Sequence, residues 1–175
     1  RVAQEVERRV VADVLRNGIK DRGCRFALVA FRPATGLNPE HQEQYRANLF
    51  TCIRQLRYST RSEQSLDLVL FLNGLPLFTA ELKNPLTGQT AEDAVRQYRY
   101  DRDPREVLLQ PGRCIAHWAV DPNEAHFTTA LAGGGTRFFP FNQGYARGAG
   151  NPPPPPSDGY ATSYLWRDVW ARDSV

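Results

Sequence analysis

Residues Ser65 to Lys83 read SLDLVLFLNGLPLFTAELK, two apolar runs joined at Asn73-Gly74. Asn-Gly between two β-type runs is a strong short-range hairpin signal, so the stretch predicts a buried strand pair. Its only charges are Asp67, near the start of the first strand, and Glu81 and Lys83, near the end of the second. Burying an ionised side chain costs several kcal/mol or shifts its pKa. Three charges gathered at the tip of an apolar hairpin therefore point to chemistry before packing.

The residue types suggest which chemistry. A phosphodiester is cleaved fastest when a divalent cation neutralises its oxygens and lowers the pKa of an attacking water. Magnesium takes oxygen ligands and keeps several waters, so one or two carboxylates suffice to hold it. Asp67 and Glu81 supply those, with the Leu82 carbonyl as a possible third oxygen. Lys83 leaves the strand on the same face as Glu81, because side chains alternate with period two, and it can orient the water or the phosphate. The reading is a metal-dependent nuclease site. A structural ion pair between Lys83 and Glu81 is the alternative that the residues themselves leave open.

Pairing parity constrains this reading. With a plain two-residue loop at Asn73-Gly74, Leu72 opposes Leu75 and Asp67 opposes Ala80, so Glu81 points away from Asp67. An odd-length connection or one β-bulge restores the parity, and a bulge is expected near Pro76, which cannot donate to the ladder.

Outward from the hairpin, Val2, Val6, Val10, Val11, Val14 and Leu15 recur at helical spacing and predict a helix over about 2–16, stopped at Asn17-Gly18. Cys24 to Phe31 reads as a strand, about 39–49 as a short helix opened by Pro39, and Phe50 to Tyr58 as a strand. After Lys83, Thr90 with Asp93 three residues on forms a capping-box pattern opening a helix to about Asp101. Arg113 to Val120 and His126 to Leu131 read as further strands. Residues 142–162, rich in Gly, Asn and Ser with prolines at Pro152 to Pro156, read as an extended linker or loop without a core of its own. Tyr164, Leu165, Val169 and Trp170 give a last helical face.

Composition bounds the class. The 175 residues are 41% apolar and 23% charged, ordinary for a globular domain. No apolar run approaches the roughly 18 residues of a membrane span. Cys24, Cys52 and Cys114 with His41, His117 and His126 offer no pair at zinc-ligand spacing, which fits reduced thiols and a cytoplasmic compartment. A net charge of +3 does not by itself argue for nucleic acid. Arginines bracket the hairpin, with Arg54, Arg57 and Arg61 before it and Arg96, Arg99, Arg102 and Arg105 after. Of these, Arg57, Arg61, Arg96 and Arg99 are candidates for DNA-backbone contacts. Starting at Arg1 and stopping at Val175 within a helical pattern, the chain reads as cut from something longer.

DLVLFLNGLPLFTAELKNP followed by EDAVRQYRYDRDP closely resembles the N-terminal nuclease domain of the R (restriction, motor) subunit of type I restriction enzymes. DVLRNGIKDRGCRFALVAFRP, RCIAHWAVD, TTALAGGGTRFFPFNQG, GAGNPP and YLWRDVWARDS resemble the same family, so the likeness covers nearly the whole chain. It implies a PD-(D/E)xK nuclease, an α/β (α+β) fold with a mixed central sheet flanked by helices, and Asp67, Glu81 and Lys83 as its site. It also implies a Mg2+ cofactor, double-stranded DNA as substrate, and specificity and modification subunits as partners. The family's glutamine–tyrosine element places Gln97 near the site, but Asp101 stands where the tyrosine is expected; Tyr98 and Tyr100 are the nearest, or simply pack the helix. A first-helix glutamate is represented by Glu5 and Glu7, both expected to face solvent. No GxxxxGK[ST] loop occurs, so ATP belongs to a motor outside this chain. The expected organisation is a nuclease domain over 1–140, a Gly/Pro-rich linker or loop over 141–162 and a terminal helix over 163–175 leading toward that motor. The rivals are a non-catalytic docking module of the same fold, joining motor and partner subunits, and a free-standing nuclease.

Overall fold

The computed structural model describes residues 1–154, 156–157 and 159–174. Of the polyproline run, Pro155 lies outside the described residues, as does the terminal Val175. The strand pair is present as β4 (Ser65–Leu72) and β5 (Leu75–Leu82), with Leu72 opposite Leu75 across Asn73-Gly74. Both turn residues have positive φ, 49° and 82°, the left-handed pair that a two-residue hairpin of native twist requires. The register then shifts. Phe71 opposes Pro76, but Leu70 opposes Phe78, so Leu77 is an extra residue. The expected bulge sits directly after the proline that disrupts the ladder.

This pair is the middle of a six-stranded mixed sheet in the order β3 (Phe50–Arg57), β4, β5, β6 (Ala116–Val120), β7 (Ala125–Thr128), β8 (Phe139–Pro140). All neighbours are antiparallel except β5 and β6. The parallel step needs a crossover, supplied by α4 (Ala91–Tyr100). Thr90 and Asp93 form the expected capping box at its start, with the Thr90 amide donating to Asp93 at 2.9 Å. A small two-stranded sheet, β1 (Ile19–Asp21) with β2 (Cys24–Phe26), lies apart. The fold is α+β, a mixed sheet with helices on both faces.

One face carries the larger core. Leu72, Phe78, Ala80, Ala116, Trp118 and Val120 pack with Val6, Val11, Val14 and Leu15 of the N-terminal helices and with Tyr164 and Leu165 near the C-terminus. Phe141 meets Trp118 edge-on at 5.0 Å, and the Thr162 hydroxyl donates to the Asp121 carbonyl at 2.8 Å. The other face takes α4, whose Ala94, Val95 and Tyr98 are buried against Val69 and Ala119.

Several expected bounds shift. The N-terminal helix is two, α1 (Val2–Arg8) and α2 (Val11–Asn17), because the Val11 amide donates to the Gly112 carbonyl at 2.7 Å instead of continuing the first helix. The strand expected over 24–31 is paired only to Phe26; farther on, Ala30 bonds through its backbone to the Asn48 side chain. The helix opened by Pro39, α3, ends at Arg46, and β7 ends at Thr128. The terminal helical face is a five-residue π-turn, Leu165–Val169.

Candidate active site

The bulge decides where the charges go. β4 and β5 are paired only as far as Leu68 opposite Ala80. Beyond that point β4 stays on β3, with Leu66 opposite Leu56 and Ser65 opposite Arg57, while β5 stays on β6, with Glu81 beside Ala119. The sheet forks there. Asp67 is the first residue on one prong and Glu81 the first on the other. Asp67 shares the parity of Val69, and Glu81 that of Thr79, so both belong to the face that carries α4.

Each charge has a defined partner. Asp67 accepts from the Gln55 side-chain amide at 2.9 Å and from the Leu82 backbone amide at 2.8 Å. The second bond links it across the fork to β5. Lys83 donates its Nζ to Oε1 of Gln97 on α4. Glu81 has no exposed surface; one oxygen, Oε1, accepts from Nε of Arg102 at 2.7 Å. Its other oxygen, Oε2, is buried with no hydrogen-bond partner. Burial pushes the Glu81 carboxyl up from its ordinary value to about 7; the Arg102 guanidinium works against that, and the Asp67 charge adds to it. The two carboxylates therefore feel each other across the fork.

A buried acceptor without a partner costs about 1–3 kcal/mol and calls for an explanation. The donor chemistry suits a hard cation. Two carboxylates converge and one oxygen is unused, oxygen donors of the kind hard cations take, although the described residues hold no group of three or more His, Cys, Asp or Glu that could by itself hold a metal ion.

Beneath the fork lies a buried polar row. The Thr79 hydroxyl bonds the Tyr98 hydroxyl at 2.8 Å and Nδ1 of His117 at 2.7 Å. Desolvation lowers His117 to about 4, so it is neutral at physiological pH. Tyr98 thus packs the helix on the sheet, whereas Tyr100 is largely exposed and Asp101 caps α4.

The remaining expected residues are more dispersed. Arg57 pairs with Glu63. Arg61 donates to Glu106 at 2.7 Å, and Arg99 to the Thr136 carbonyl at 3.0 Å. Arg96 is exposed. Glu5 does not face solvent as expected: it is buried, because Arg1, Arg8 and Arg9 surround it at 3.2, 3.7 and 3.4 Å. Glu7 is exposed and pairs with Arg113. Two contributors carried no signal as site residues. Gln55 reaches Asp67 from a left-handed backbone with φ 50°, and Arg102 lies past the end of its helix, five residues after Gln97.

Fold and fork together define a class: a mixed-sheet α+β domain with an Asp, Glu-x-Lys set at a strand divergence and a glutamine on the adjoining helix. A family model for the type I restriction enzyme R protein N terminus matches residues 33–144, and the chain belongs to that family. Searches of curated proteins and of solved structures find no match. The matched span contains the whole fork, Gln97 and Arg102.

Proposed function

We propose that this domain is the DNA-cleaving part of a type I restriction enzyme R subunit, a magnesium-dependent endonuclease of the PD-(D/E)xK type acting on double-stranded DNA. The observation that carries the proposal is the buried, unpartnered Oε2 of Glu81, with the Asp67 charge near enough to raise the Glu81 pKa. Asp67 and Glu81 hold the cation, with the Leu82 carbonyl as a third oxygen. When bound, the cation neutralises phosphodiester oxygens and acidifies an attacking water.

The chain's own groups do the rest. The Leu82 amide and Gln55 fix Asp67, and Gln97 fixes the Lys83 ammonium beside the fork, where it stabilises charge on the phosphate or orients the water. Arg57, Arg61, Arg96 and Arg99 contact the DNA backbone, giving salt-sensitive binding without sequence choice. Sequence choice comes from partner specificity and modification subunits. Residues 1–140 form the bulk of the nuclease body and 141–162 a connecting segment, after which Tyr164 and Leu165 pack back into the same core; the enzyme is cytoplasmic and its ATP-driven motor is a separate part.

The test is Lys83→Ala in the full restriction assembly. Cleavage is expected to fall at least ~100-fold, the scale of losing one pre-positioned charged donor, while ATP-driven translocation persists. Wild-type cutting by that variant overturns the proposal and favours a docking module.

A further inference from the structure

Arg102 is absent from the sequence pattern of the site, yet it makes the most deeply buried ion pair in the described structure, with side-chain exposures of 6% for the arginine and 0% for Glu81. Its contacts reach both prongs. Nε and Nη2 each lie 2.7 Å from Oε1 of Glu81 on β5, and Nη2 donates to the Ser65 carbonyl on β4 at 2.8 Å. The guanidinium also lies over the Tyr58 ring, 5.8 Å from its centroid. Tyr58 and the neighbouring backbone are tied in turn, since the Tyr58 hydroxyl donates to Gln64 and Gln64 donates to the Asp101 carbonyl, both at 2.9 Å.

Stability does not explain this arrangement. Desolvating two charges offsets most or all of their attraction, and an apolar pair of similar volume serves a core as well or better. The pair also leaves Oε2 of Glu81 without a partner, although a guanidinium has five donors and commonly grips both oxygens of a carboxylate. Here both nearby nitrogens meet the same oxygen, and the remaining reach goes to Ser65. The guanidinium stands where the β4–β5 ladder ends, with its rigid fork of donors reaching one residue on each prong.

We propose that Arg102 is a positioning residue for the metal pair: it clasps the two prongs and holds Glu81 by Oε1, so that Oε2 alone is turned toward a divalent cation shared with Asp67. This rests on the reading of Asp67 and Glu81 as metal ligands. The clasp makes the glutamate a one-oxygen ligand and fixes the spacing of the carboxylates before the cation arrives. Removing groups that orient metal ligands commonly costs 10–100-fold in affinity.

The sign of the effect tests it. Arg102 is a cation, so if it acted only through charge, its removal would tighten binding of another cation. If it acted only as a structural strut, its loss would lower thermal stability and leave affinity unchanged well below the melting temperature. The measurement is Mn2+ affinity, by paramagnetic resonance of free Mn2+, for the protein and for its Arg102→Gln, Arg102→Lys and Asp67→Ala variants. Arg102→Gln is expected to weaken binding at least ~10-fold. Arg102→Lys keeps the buried charge, and with it the fold, but a single ammonium cannot reproduce the guanidinium fork, so it is expected to weaken binding by a smaller factor, ~3-fold or more. Unchanged or tighter binding in a folded Arg102 variant overturns the proposal; if Arg102→Gln does not fold, the lysine variant decides alone. Equal Mn2+ binding by wild type and Asp67→Ala instead overturns the metal-site reading on which it rests.

Discussion

The two ends of the β4–β5 hairpin are built from the same kind of sequence and end in opposite conditions. At the turn end, Asn73 bonds outward to Leu28 and Leu49, and the ladder closes cleanly between Leu72 and Leu75. At the fork end the ladder stops, two carboxylates face each other, and a buried oxygen has no partner. The turn end is organised by residues next to each other in the chain. The fork end is organised by residues brought from β3, α4 and the loop beyond it. The bulge at Leu77 connects the two, because one extra residue near the turn selects which side chains meet at the far end, where Glu81 lies four residues further along β5.

The sharpest way to expose that contrast is pH. A glutamate in the unfolded chain releases its proton near 4.5, whereas Glu81 in the fold holds its proton to about 7. Its contribution to stability is therefore fully present below pH 4.5 and is lost as pH rises through 7, up to ~3 kcal/mol for a shift of this size. Glu81→Gln cannot ionise, so in chelator its stability relative to wild type should rise between about pH 5 and 8.5 by up to that amount. His117, lowered to about 4, contributes in the opposite direction over lower pH, but both proteins carry it and it cancels in the difference. Denaturation curves that keep a constant separation across this range would mean the fork stores no such cost.

At the turn end the expected effect is smaller and has a different origin. Gly74 holds φ at 82°, and a Cβ built there meets nothing within 4 Å. Gly74→Ala therefore meets no steric neighbour and costs only the left-handed backbone, ~1–2 kcal/mol, or a melting temperature lower by several degrees in a protein of this size. Its Mn2+ affinity should match wild type. A variant that lost affinity in step with stability would show that the two ends are not separable.

How much was legible follows the same division. The hairpin, the need for a bulge beside Pro76 and the capping box at Thr90 rest on short sequence separations and period-two geometry, whereas Gln97 entered through the family likeness alone. Arg102 was visible only as one arginine in a basic run, because nothing local says that a residue past a helix end will turn inward between two strands. Gln55 was invisible for a related reason: its left-handed φ is unusual for glutamine, and nothing in the local sequence announces it. The split of the first helix has the same cause, a carbonyl from Gly112 that competes for the Val11 amide across a hundred residues of chain. Patterns report what a segment can bury, while long-range polar contacts decide where it stops.

The smallest predicted effect lies between the two ends, in the polar row under the fork. Tyr98→Phe removes a hydroxyl that bonds Thr79 at 2.8 Å, but Thr79 keeps His117 at 2.7 Å. No buried group is orphaned, so the loss should be that of one ordinary hydrogen bond, ~1 kcal/mol. The ring stays in contact with Phe138 and the helix stays seated. Metal affinity should not change, since the Tyr98 hydroxyl bonds Thr79 and not Asp67, Glu81, Lys83 or Gln97. If Mn2+ binding weakened in Tyr98→Phe at full folding, the Thr79 row would be part of the site's support, and the boundary between ordinary core and fork would lie one pair of residues nearer the turn.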